Sequence, residues 1–356
     1  MPCTSRWGLS FIFALFASGR LCEITASKGV DLDWHGFLEA GVRYRNKHHN
    51  SDLPDGDVYN DEYYQIGKTN IEAEIDFGKH LEARLDLRGD INDYSVVLRK
   101  AYIDMDLTDW LLLRVGNAKR EFTLEEMVGR DELRTPNRSL ANQYVESFHV
   151  LGYAFGIHAR GRWGEKTIRR TTGWLGVSID GAGRFVSIAS AKHGVAENFA
   201  AVGSYLLLVR FATQANPIAV SNMAGAGWEL DTPTMYAVAE LAGGKDPNAT
   251  DVKHRMGDTV NVLYGLVRTA CFPFLELDGR LLSGLEPGLT TVYLIPDFSE
   301  SKRGRVQVVP SCNLYLGRDG LVRLMVSADF LLHTDFSARE LRKESYGATI
   351  QMQVAW

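Results

Sequence analysis

The stretch YGATIQMQVAW, Tyr346 to Trp356, sets Tyr346, Ala348, Ile350, Met352, Val354 and Trp356 on every second position, opposite Gly347, Thr349, Gln351, Gln353 and Ala355. A period of two is that of a β-strand, whose side chains alternate between faces. This strand therefore has one apolar face and one polar face. A soluble sandwich can use such a strand, but a terminal tryptophan left to fray is a poor place for so much apolar area. In a transmembrane barrel the same strand has lipid on one side and a wet lumen on the other, and an aromatic residue at its tip sits in an interfacial girdle.

The alternation recurs along the chain. Leu38, Ala40, Val42 and Tyr44 oppose Glu39, Gly41, Arg43 and Arg45, before a polar, acidic insert spanning Asn46 to Asp61. Ile71, Ala73, Ile75 and Phe77 then oppose Asn70, Glu72, Glu74 and Asp76, and a Gly78-Lys79-His80 turn leads into Leu81 to Asp90, the layout of a hairpin. Lys100, Tyr102 and Asp104 share a polar face, and Arg114 continues it beyond a turn at Thr108-Asp109. After a longer polar segment, Arg120 to Ser147, the apolar set Leu151, Tyr153, Phe155, Ile157 and Ala159 opposes His158, Arg160 and Arg162. Gly181 to Asn222 is less regular, and alternation returns from Gly225 to Trp356. Short turns alternating with longer inserts, over about sixteen segments, predict an all-β, antiparallel up-and-down transmembrane barrel.

Charge at strand centres supports that choice. Glu72, Glu74, Arg84, Asp86, Asp104 and Arg160 all fall on the polar faces. In a dry core each would cost roughly 2 kcal/mol or more without a partner. A water-filled lumen removes the cost, and pairing the last strand with the first removes both free edges.

The chain has 356 residues, and its 39 Lys+Arg against 44 Asp+Glu give no global basic field for nucleic acid. Arg6, the apolar run Leu9 to Ala17 and the small residues Ala17-Ser18-Gly19 have the layout of a secretory signal over residues 1–19, cleaved after Gly19 or, as a second choice, after Ala26. Residues 27–356 then form the barrel. Cys22 follows Arg20 and Leu21, not the small residues a lipidated cysteine requires. Cys271 and Cys312 lack metal-ligand spacing and read as small buried residues that an oxidising compartment could pair. Glu72-x-Glu74 and Asp104-x-Asp106 follow from same-face alternation, so neither metal nor cofactor is expected.

Gly116, Lys119, Phe122, Leu124 and Glu125, followed by Arg138-Ser139-Leu140 and by Leu151 to Gly156, resemble the phosphate-selective porin O and P family. The likeness runs thinly from about Trp34 to Trp356. It implies a sixteen-stranded, usually trimeric porin of a Gram-negative outer membrane, with Arg120 to Ser147 as the loop that folds inward and narrows the pore. It implies passive diffusion of small hydrophilic solutes and inorganic anions, phosphate among them, and recognition of the last strand by barrel-assembly machinery. His149-Val150 departs from the Arg-Asn pair that the family often carries there.

Anion preference needs cations projecting into a narrow, low-dielectric passage. Arg84, Arg88, Arg114, Arg160 and Arg162 face inward by alternation, and Lys119 and Arg138 follow from the resemblance. Carboxylates such as Asp86 and Asp104 share that wall, which favours weak selectivity. Two other functions stay open. Ser147 and His149 would serve a barrel enzyme of phospholipase type, and the acidic stretch His48 to Asp61 would serve an adhesin or anchor.

Overall fold

The computed structural model describes residues 31–49, 58–90, 94–129, 132–146, 150–164, 170–179, 184–210, 219–245, 263–279, 281–296, 303–317, 321–335 and 340–356. Sixteen antiparallel strands close on themselves. The first six are β1 (Asp31–His49), β2 (Val58–Asp76), β3 (Leu81–Asp90), β4 (Ser95–Thr108), β5 (Leu111–Lys119) and β6 (Tyr153–Trp163). The next six are β7 (Thr171–Ile179), β8 (Arg184–Ala196), β9 (Phe199–Arg210), β10 (Ala219–Thr232), β11 (Met235–Lys245) and β12 (Leu263–Pro273, resuming at Leu275–Glu276). The last four are β13 (Leu282–Ile295), β14 (Arg303–Leu316), β15 (Val322–Asp335) and β16 (Glu340–Ala355). Each strand pairs with its neighbour in sequence, and β1 closes the barrel on β16 with Phe37 opposite Ala355 and Val42 opposite Ile350. No backbone edge is left for lipid, where an unpaired amide costs several kcal/mol.

The outer face is apolar and open. Phe155 is 67% exposed and Val42 58%, and Ile157, Leu175, Leu241 and Ile350 extend the same band around the barrel. So much bare hydrocarbon at strand centres belongs against acyl chains and not water. Aromatic pairs mark both rims. Trp110 meets Trp163 at 6.0 Å and Phe199 meets Trp228 at 6.0 Å near the short turns; Tyr44 meets Tyr63 at 5.1 Å, tilted, and Tyr346 at 6.1 Å, edge-on, toward the longer connections.

The hairpin β1–β2 corrects one boundary. Each strand runs 19 residues, and Asn46 pairs with Asp61 inside what reads as an acidic insert. A span needs only about 9–11 residues, so these strands rise beyond the bilayer, where polar side chains on both faces are no obstacle to pairing. The residues 50–57 between them, residues 1–30 with the expected signal, and Ser147 with His149 lie outside the described residues.

Two further positions differ from strict alternation. Leu151 packs in the interior and the Tyr153 hydroxyl accepts a bond from Arg99, although their parity puts both on the lipid side. Gly152, at φ +78°, turns the chain just ahead of β6, and regular alternation is in place only from Ala154. Cys271 and Cys312 are both free, and Cys271 is exposed on the outer face rather than buried.

Candidate functional site

The inner wall has two chemically different arcs. On β2 to β6 it carries a lattice of charge. Arg84 reaches Glu74 at 2.9 Å and Glu72 at 3.6 Å and also bonds Glu82; Lys100 reaches Glu72 at 2.5 Å and Asp86 at 3.7 Å. Arg114 grips Asp104 through two bonds of 2.7 and 2.8 Å, with its guanidinium 3.9 Å from the centre of the Tyr102 ring. Planar fork against carboxylate is the geometry that makes arginine the strong partner. A register shift between Asp86 and Leu87 turns both Arg99 and Lys100 inward, which simple alternation forbids.

On β8 to β13 a large part of the inner wall is apolar instead. Val186, Ile188, Leu206, Leu208, Met223 and Leu294 are all buried, and what covers them is the segment between β5 and β6. Phe122, Ala141, Val145, Val150 and Leu151 of that segment lie on this wall, Leu124 packs with Val202, Val238 and Phe272, and Tyr144 meets Tyr264 edge-on at 5.3 Å. Fully burying a Phe, Leu or Val side chain is worth about 1.5–3 kcal/mol, so a segment swung out into water would lose several such terms.

Two short helices shape the segment. Thr123 caps α1 (Leu124–Met127) by accepting from the Glu126 amide at 3.1 Å, and α2 (Leu140–Glu146) follows. Polar stitches then fix it across the lumen. Arg120 Nε donates to Ser178 Oγ on β7 at 2.9 Å, and the Leu124 amide donates to Glu240 on β11 at 2.8 Å. The Leu140 amide donates to Gln307 on β14 at 2.7 Å, and Asn137 reaches Thr349 on β16 at 3.4 Å. Arg134 pairs with Glu286 on β13, which also accepts from Asn313 at 2.8 Å and Tyr315 at 3.0 Å. Arg268 on β12 lies 3.4 Å from Glu240 and 3.8 Å from Glu125, so two buried carboxylates share one buried guanidinium.

Open space survives above and below this plug. Toward the long connections a cavity of ≈ 590 Å³ is lined by Lys68, Arg88, Arg99 and Arg138 together with Asp90, Glu126 and Glu146. Toward the short turns a cavity of ≈ 350 Å³ carries Glu125, Glu132, Glu229 and Asp231 against Arg134 and Arg268. The first is mildly cationic and the second acidic.

The residues singled out from the sequence divide accordingly. Arg84 and Arg114 stand in the charged lattice and Arg88 lines the upper cavity. Arg160 lies 5.3 Å from the Trp174 ring centre, beside the base of the inserted segment; Arg162, near the end of β6, is exposed. Lys119 donates to the Val128 carbonyl at 2.9 Å and sits 3.8 Å from Glu126; Arg138 reaches Glu126 at 3.3 Å and bonds the Glu125 carbonyl. Glu125 in turn accepts from the Ser139 amide at 2.8 Å, so the two motif pieces that carry the family resemblance meet each other. Neither the family motifs nor the list of inward cations includes Arg99, Arg134, Glu240, Arg268 or Glu286. Arg268 was legible, since Tyr264, Leu266, Arg268 and Ala270 alternate inward; Arg99 was not, because the bulge has no sequence mark.

No protein-family model matches the chain, and no curated protein matches it. Solved structures do. The outer membrane channel DcaP of Acinetobacter baumannii superposes with a TM-score of 0.60 at 11% identity, covering 93% of this chain and 99% of that one. The anion-selective porin from Comamonas acidovorans gives 0.60 at 10% identity over 92% and 100%, and Salmonella typhi OmpF in complex with daunomycin gives 0.60 at 11% over 92% and 98%. At such low identity the likeness is one of fold: this chain has the architecture of the bacterial outer-membrane porins.

Proposed function

We propose that this protein is a passive diffusion channel of a Gram-negative outer membrane, narrowed by the segment 120–147. One observation carries the reading: a sixteen-stranded barrel whose polar lumen is crossed by a segment stitched to the opposite wall, leaving wet, charged space on both sides of it. A structural plug without passage has no need of a charged lattice along β2 to β6. A porin needs one, because transverse charge orients hydrated solutes in the narrow zone.

Small hydrophilic solutes and inorganic ions are the cargo. The finer reading, membership of the phosphate-selective porins, is supported by the contact between the Lys119–Glu125 and Arg138–Leu140 motif pieces and by the name of the anion-selective relative in fold. Lys119 and Arg138 hold the segment, so anion preference falls to Lys68, Arg88 and Arg99 of the upper cavity and is weak, because Asp90 and Glu146 face the same space. By the same resemblance the working assembly is a homotrimer. Liposome swelling with saccharides of increasing size, and the reversal potential in a potassium chloride gradient, test both levels. Swelling that falls with solute size supports the channel, a small potential of anionic sign supports the weak preference, and a barrel that admits no saccharide contradicts the reading.

A further inference from the structure

At the root of the inserted segment lies a small cavity of ≈ 30 Å³. Arg120 and Glu121 of the segment meet Arg114, His158 and Arg160 of the wall there. Arg120 is 2% exposed. The Nε2 of His158 and the Nε of Arg160 are buried, and neither meets a protein hydrogen-bond partner among the described residues. Buried donors of this kind ordinarily have one, and leaving a donor unmade costs about 1–3 kcal/mol, more when charged. The His158 ring is held in place by Gly176 opposite it, where any β-carbon would collide with Nδ1.

The charge of the pocket has a sign. Asp104 is already gripped by Arg114, and Glu126 faces Lys119. Glu121 is then the one lining carboxylate for Arg120 and Arg160 together, while Arg162 and Arg170 add positive charge beside Arg160. Size narrows the ligand. A water needs roughly 10–15 Å³ of such space, so the cavity takes about two water-sized centres, enough for a halide and too little for a tetrahedral oxyanion.

We propose that this cavity binds one halide ion, which accepts from Arg160 Nε–H and from the Nε2–H of the His158 tautomer, both on β6, and whose negative charge holds Arg120 at the root of the inserted segment and Arg114 of β5 against that wall. The ion is structural, so the proposal does not depend on what the barrel conducts. Glu121 competes with the ion for the same guanidinium groups.

The test uses the purified, folded barrel in detergent, with bromide as the probe. Crystals grown in sodium bromide should show an anomalous peak between His158 and Arg160. The unfolding midpoint should be higher in sodium chloride than in sodium gluconate of equal ionic strength. Arg160→Gln should lose that difference, or His158→Gln should do so if the first variant does not fold. Glu121→Gln should remain folded and reach half-effect at about tenfold less chloride, a change of 1.4 kcal/mol. Peaks confined to surface lysines, meaning an adventitious ion only, would overturn the proposal. So would equal midpoints in the two salts, or a Glu121→Gln variant that loses its chloride response. None of these readouts involves transport, so their failure leaves the diffusion-channel reading intact.

Discussion

Trp356 and Gly36 exchange both of their backbone hydrogen bonds, at 3.1 and 3.0 Å, and the indole ring lies over the bare α-carbon of the glycine. The last residue is thus a fixed part of the seam and not a frayed tail. A β-carbon at position 36 would run into the indole ring and come 2.5 Å from the Asn70 carbonyl. Gly36→Val should therefore weaken closure by about 1–3 kcal/mol, the usual cost of overpacking. Heat-modifiability on gels reads it, as a lower temperature at which the compact form is lost. An unchanged transition would show that the seam tolerates the side chain.

The triad Glu125–Arg268–Glu240 joins the inserted segment to β11 and β12. Arg268→Met leaves two buried carboxylates without their cation, which costs about 3–5 kcal/mol when one partner of a buried pair is removed. Combining it with Glu125→Gln and Glu240→Gln should recover most of that loss. Thermal unfolding measures the cycle; a single variant as stable as the parent would mean that water reaches the triad freely.

Glu121 has its carboxyl pushed above the ordinary carboxylate range, first by burial, while Arg114, Arg160 and Lys119 pull the other way. Its folded pKa is raised, so the folded state binds the proton more tightly than the unfolded chain does. The group costs nothing below the ordinary carboxylate pKa, and the full penalty is present once pH exceeds the raised value. Stability from this residue thus declines as pH rises through that window. Glu121→Gln should flatten the slope of unfolding midpoint against pH as pH rises out of the ordinary carboxylate range, and a slope identical to the parent's would assign it to other groups.

Arg88 and Lys119 should separate selectivity from support. Arg88→Glu changes the upper cavity lining from four cations and three carboxylates to three and four. The reversal potential should move toward cation preference. Lys119→Met removes a bond to the Val128 carbonyl and should disturb open-channel noise more than the potential. The reverse ranking would return Lys119 to the conducting path.

What the sequence disclosed follows from where alternation holds. Between Ile71 and Asp106 each strand has lipid on one side and charged water on the other, and the faces can be assigned residue by residue except at the bulge that turns Arg99 inward. Between Gly181 and Asn222 that contrast fades because the inner face, Val186, Ile188, Leu206 and Leu208, is as apolar as the outer. Those side chains face the inserted segment and not water, a fact no local pattern contains. The motif residues Lys119, Glu125 and Arg138 were found, yet their mutual contacts are long-range and only the folded chain displays them.

The most direct test of a channel narrowed by its own inserted segment is single-channel conductance in planar bilayers, comparing the parent with a chain in which residues 121–147 are replaced by a short Gly-Ser linker. Stable openings are expected for the parent and a severalfold larger conductance for the shortened chain, provided both remain heat-modifiable. Folded protein that never opens, or a shortened chain whose conductance equals the parent's, would contradict it.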